Sequence, residues 1–200
     1  MALGRYQRQR KLALFAILFA AFMALLFVGS AWPEEMHESV EMAGLALIVI
    51  GIAGRIWCTL YIGGRKAAEI VAEGPYSMSR NPLYVFSSIA AGGAGAATGS
   101  IVLGLVFAIG CAAAFRIVIL REEAYLRDAF GTSFDSYVTR VPRFLPDISL
   151  FRDAPTITVD MALVYRTLGD GLVFFLAVPF FETVEMLQAG GYLPVLLRLY

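Results

Sequence analysis

The sequence is poor in the residues from which soluble enzymes usually build both a surface and a catalytic centre. Only 16% of its 200 residues are charged, and it holds one histidine and two cysteines. So little charge excludes an ordinary soluble domain. Sixteen basic and sixteen acidic residues cancel, so no overall basic field draws nucleic acid. Cys58 and Cys111 stand among apolar neighbours, where thiols behave as small hydrophobes, and His37 lies too far away to join them, so no metal site is expected. Linkers, repeats and low-complexity tracts are also missing, which leaves a single domain over 1–200.

What is present is apolar. Hydrophobic residues make up 59% of the chain, and mean hydropathy is +0.72. Leu12 to Trp32 carries no charge and is long enough for a membrane-crossing helix. Its basic start suggests a signal peptide, but the run is too long and Ala31-Trp32-Pro33 is a poor cleavage site, so it reads as a retained anchor. A second run spans Val40 to Tyr61, broken only by Glu41 and Arg55. Leu83 to Thr98 and Ile101 to Leu120 form a hairpin turning at Thr98-Gly99-Ser100. The first of these contains AAGGAGAATG, whose small residues predict close helix packing, more readily within the bundle than between copies. A weaker fifth run, Gly171 to Phe181, follows a stretch from Val159 that contains Asp160, Arg166 and Asp170 and reads as an interfacial helix.

Basic residues set the expected orientation. Arg5, Arg8, Arg10 and Lys11 precede the first run, Arg65, Lys66 and Arg80 follow the second, and five arginines follow the fourth, while Pro33 to Ser39 has none. The expectation is an all-α polytopic transmembrane helical bundle of about five transmembrane helices, with its N-terminus in the cytoplasm.

In that topology two polar segments share the cytoplasmic side, GPYSMSRNPLYV at 74–85 and REEAYLRDAFGTSFDSYVTRVPRFLP at 121–146. Gly74-Pro75 and Asn81-Pro82 are turn signals around a loop dense in aromatic, hydroxyl and guanidinium groups, as binding loops are. The fourth helix is expected to run on to Phe130 and stop at Gly131. Ser133 then caps a short helix whose Phe134, Tyr137, Val138 and Val141 make an apolar stripe, suited to lie on the membrane or to close over a site. Glu123 has an i, i+4 partner in Arg127, whereas Glu122 faces Leu126 and is the better ligand candidate.

At these residues the chain resembles the isoprenylcysteine carboxyl methyltransferases and related phospholipid N-methyltransferases. GPYSMSRNPLY is similar to their G-x-Y-x-x-x-R-H-P-x-Y loop, and the 121–146 segment to their Glu pair followed by L-x-x-x-F-G-x-x-Y-x-x-Y and V-P-R-x-x-P. The resemblance covers about residues 60–147, leaving 159–200 as extra C-terminal helices. It implies an integral membrane enzyme that uses S-adenosylmethionine, releases S-adenosylhomocysteine, and methylates a lipid or lipophilic acceptor from the bilayer. Carried over residue by residue, cofactor contacts fall on Glu69, Ile70, Val71, Tyr76, Arg80, Asn81, Pro82, Leu83, Tyr84 and Glu122.

Two positions depart from the family pattern: Asn81 replaces the motif histidine, and Val118 stands where a substrate-binding arginine is expected. Arg121 is near enough to substitute, and Glu123 or Tyr137 would assist loss of a proton from an amine acceptor. Two other readings are a sterol-reductase-like enzyme using NADPH, and a non-catalytic protein that retained the cofactor scaffold.

Overall fold

In a computed structural model, residues 22–65 and 68–200 are described. Within them run α1 (Glu34–Ile62), a single turn α2 (Pro75–Met78), α3 (Pro82–Ala96), α4 (Ile101–Phe130), α5 (Thr132–Arg140), α6 (Met161–Leu172) and α7 (Ala177–Ala189). A 3-10 turn, Val173–Leu176, joins the last two into one apolar helical run, Met161–Ala189. That run, α1 and α4 are each long and apolar enough to cross a membrane. The protein is thus an all-α membrane protein.

Residues 12–21 of the first expected span lie outside the described residues, as does Lys66. The end of that span is not helical. Val28–Ser30 (β1) pairs in parallel with Leu197–Leu199 (β2), so Gly29 sits opposite Arg198. An isolated strand leaves its backbone groups unpaired, and only the distant C-terminal segment could satisfy them.

α3 is the central helix, wedged between α1 and α4. A Cβ on Gly93 would lie 2.5 Å from the Gly44 carbonyl oxygen of α1, and one on Gly95 would lie 2.5 Å from the Leu103 carbonyl oxygen of α4. Both gaps are below van der Waals contact, so the small-residue stretch packs inside the bundle, backbone on backbone. Ile48, Ile52 and Ala94 then form a core that the C-terminal run covers through Leu168, Phe174, Phe175 and Val178. Asp160 accepts bonds from the Ala162 and Leu163 amides and so caps α6.

α4 continues to Phe130 and ends at Gly131, whose φ of +53° is the left-handed conformation that glycine adopts most easily. The same Gly131, not Ser133, opens α5. The expected stripe on α5 is buried, with Phe134 only 1% exposed, and it packs on Ile70, Leu126 and Phe130. α5 therefore folds back over the end of the bundle, because its ring and branched side chains find apolar partners in the segment before α2.

Candidate active site

The two polar segments are stitched together by main-chain bonds. The Gly74 amide donates to the Arg152 carbonyl (2.7 Å), the Arg80 amide to Pro142 (2.9 Å) and the Asp147 amide to Met78 (2.9 Å). Ser79 Oγ donates to the Phe144 carbonyl at 3.0 Å, and Asn81 Nδ2 to that of Arg143 at 2.9 Å. Asn81 therefore ties the loop to the chain beyond α5. Gly74 has φ +55° and a Cβ there would meet the Tyr61 ring at 2.5 Å, so only glycine fits this corner.

Between the joined segments lies a cavity of about 390 Å³. That volume falls within the roughly 300–1,000 Å³ usual for small-molecule and cofactor sites. The expected residues Glu69, Ile70, Val71, Tyr76, Arg80, Asn81, Leu83, Tyr84, Arg121, Glu122, Glu123 and Tyr137 all line it, and Pro82 does not. Ile62, Val118, Tyr125, Leu126 and Phe134 complete the wall. Sequence reading passed over Tyr125 and Leu126, although both lie inside the second motif.

The acidic pair divides its work. Glu123 is clamped by two arginines: Arg143 donates through Nε and Nη2 at 2.9 to 3.2 Å, and Arg80 Nη2 lies 3.3 Å away. Arg127, expected from its i, i+4 spacing to pair with Glu123, instead binds Asp135 at 2.9 Å and sits over the Phe134 ring. α5 folds back and brings Asp135 to Arg127, while the strap after it brings Arg143 to Glu123. The Tyr84 ring stacks on Phe115 at 4.5 Å, beside Glu122 on the cavity wall. Glu69 is held by an ion pair with Arg65.

Tyr137 Oη donates to the Tyr76 carbonyl at 2.8 Å. Burial pushes both phenols above their ordinary value, Tyr76 well above it. Burial also holds the Arg80 guanidinium below its ordinary value, although Glu123 pulls the other way. Arg80 Nε is buried with no hydrogen-bond partner among the described residues. Arg80 as a whole lines the cavity, so its guanidinium is the kind of group that an anionic ligand would seek there.

Two polar motifs on either side of a helical hairpin thus meet around one cavity at the end of an apolar bundle. The chain belongs to the phospholipid methyltransferase family, which matches residues 39–133. Over nearly its full length it is also similar to two curated proteins. It is 32% identical to the nickel-cobalt-cadmium resistance protein NccN of Alcaligenes xylosoxydans xylosoxydans, covering 98% of this chain and 93% of the relative. It is 30% identical to the cobalt-zinc-cadmium resistance protein CzcN of Cupriavidus metallidurans, covering 99% and 92%. No solved structure matches the chain.

Proposed function

We propose that this protein is an S-adenosylmethionine-dependent methyltransferase acting on a lipid or lipophilic acceptor, with the cavity as its cofactor site. The observation that carries this reading is the convergence of both family motifs on a single cavity. When bound, S-adenosylmethionine supplies a methyl group already activated on a positive sulfur. The protein's own task is then to align the acceptor and exclude water.

In this proposal Glu122 balances the sulfonium or accepts from ribose hydroxyls, Tyr76 and Tyr84 pack on the ligand, and the Arg80 guanidinium attracts its carboxylate. Glu123 and Tyr137 position rather than react. Glu123 is already shared by two arginines, and a phenol raised by burial and bonded to a carbonyl makes a poor base. The acceptor reaches the site from the side of α4. Val118 on the cavity wall is 40% exposed and lies beside exposed Ile117 and Leu120, an apolar face suited to lipid.

An NADPH enzyme is less well supported. Its 2′-phosphate wants a cluster of arginines, and the described cavity lining offers Arg121 and an Arg80 already shared with Glu123. The names of the two relatives suggest metal resistance as the cellular setting, which a lipid-modifying enzyme could serve by altering the envelope.

The test is calorimetric titration of the detergent-purified protein with S-adenosylmethionine, S-adenosylhomocysteine and NADPH. The first two bind, and Glu122→Ala weakens them by about 1–3 kcal/mol, the cost of a lost charged hydrogen-bond partner. Binding of NADPH alone, or of none of the three, overturns the reading.

A further inference from the structure

A second constellation lies at the opposite end of α1, separated from the cavity by roughly 37 Å of helix at 1.5 Å per residue. His37 and Glu41 stand one turn apart at the start of α1, and Glu185 reaches them from α7. His37 Nε2 is 2.9 Å from Glu185 Oε1 and 3.3 Å from Glu41 Oε1. One donor atom from each of the three residues lies within 4.8 Å of the others.

This arrangement is more than a surface ion pair, because two carboxylates from different helices converge on one ring nitrogen. A proton on Nε2 makes one well-aligned hydrogen bond and leaves the second oxygen poorly served. A metal ion in the same place serves all three donors. Ligands about 2.0–2.2 Å from an ion stand roughly 2.8–3.6 Å from one another in octahedral to tetrahedral geometry, and both nitrogen–oxygen distances, 2.9 and 3.3 Å, fall in that range.

The imidazole is fixed from behind. A Cβ on Gly99, in the turn between α3 and α4, would lie 2.0 Å from His37 Nδ1, so that turn presses against the ring. Ser30 Oγ of β1 in turn donates to the Gly99 carbonyl at 3.1 Å. The His37 side chain is largely buried, while both carboxylates keep partial contact with solvent, which leaves an entry path.

The charged groups acting on the two carboxylates, His37 apart, are acidic. Glu182 acts on both carboxylates and Glu34 also acts on Glu185, with His37 as the opposing group. The start of α1 and its cap, Pro33 to Ser39, have no lysine or arginine. Three glutamates or more facing one imidazole leave a negative excess that a divalent cation would neutralise.

We propose that His37, Glu41 and Glu185 form an exchangeable binding site for a divalent transition-metal ion. The imidazole selects zinc, cobalt or nickel over magnesium and calcium, which prefer oxygen alone. Three protein donors leave at least one coordination position open to water, unlike a closed structural site. The proposal stands on this geometry and is independent of the methyltransferase reading.

The test uses the full chain without any histidine tag, in lipid nanodiscs, titrated with Co²⁺ and followed by its visible absorption. One equivalent binds, Zn²⁺ displaces it, and a tenfold excess of Mg²⁺ does not. His37→Ala and Glu185→Gln each lower Co²⁺ affinity at least roughly tenfold, while Glu38→Gln, on the exposed side of the same turn, leaves it unchanged. Should His37→Ala fail to fold, Glu185→Gln on the other helix gives the same reading. Absence of stoichiometric binding, binding unchanged in both variants, or displacement by Mg²⁺ would each reduce the cluster to an ion pair and overturn the proposal.

Discussion

Replacing Glu123 by alanine should destabilise the protein far more than removing any surface charge. The Glu123 side chain is 7% exposed and that of Arg80 8%, so their contact is made almost out of water. Arg143, 47% exposed, recovers hydration when its partner is lost and adds little. Arg80 cannot recover it, and its Nε already lacks a partner among the described residues. Breaking a buried pair by removing one member costs about 3–5 kcal/mol. At about 2–4 °C per kcal/mol for a chain of this size, the melting midpoint should fall by about 6–20 °C. The assay is thermal unfolding by circular dichroism in detergent, run beside Arg127→Ala, which breaks the exposed Arg127–Asp135 pair. That control should cost no more than about 1 kcal/mol. Replacing Arg80 by Met and Glu123 by Leu together should restore most of the loss, since no unpaired buried charge remains. If Glu123→Ala melts no lower than Arg127→Ala, the buried clamp is not what holds this end of the protein together.

Four other outcomes follow from the packing, the hydrogen bonds and the buried phenols. Gly93→Val should force α1 and α3 apart, because its Cβ would lie 2.5 Å from the Gly44 oxygen; the cost is about 1–3 kcal/mol, read as a lower midpoint and loss of a monodisperse peak in size-exclusion chromatography. Tyr137→Phe removes the 2.8 Å bond to the Tyr76 carbonyl and should cost about 0.5–1.5 kcal/mol in the same melts. Because burial raises Tyr76 and Tyr137, the folded state holds their protons more tightly than the unfolded chain does. Stability from them is full below the ordinary tyrosine value of about 10 and declines as pH rises beyond it, which melts at stepped pH would detect and Tyr137→Phe would lessen. Asp160→Ala removes the cap of α6 and should cost about 1 kcal/mol, measured as a lower midpoint with little change in helix content.

Low charge and long apolar runs already identify an α-helical membrane protein, since they admit little else. The sequence also marked both motifs, the end of α4 at Gly131 and the stripe on α5, because glycine conformation and helical period are local properties. Tyr76, Tyr84 and Glu122 were legible as site candidates from those motifs alone, and the cavity gathers all three. Partners were not legible. Local spacing offers Arg127 to Glu123, but the chain after α5 delivers Arg143 and the loop before α3 delivers Arg80. Likewise, the end of the first apolar run reads as helix until the C-terminal segment pairs with Val28–Ser30. His37 looks solitary in sequence because Glu185, which faces it, arrives on the last helix. A periodic pattern reports which face of a helix is apolar, but the partner of a charge is fixed by which distant segments the packed backbone brings within hydrogen-bond reach.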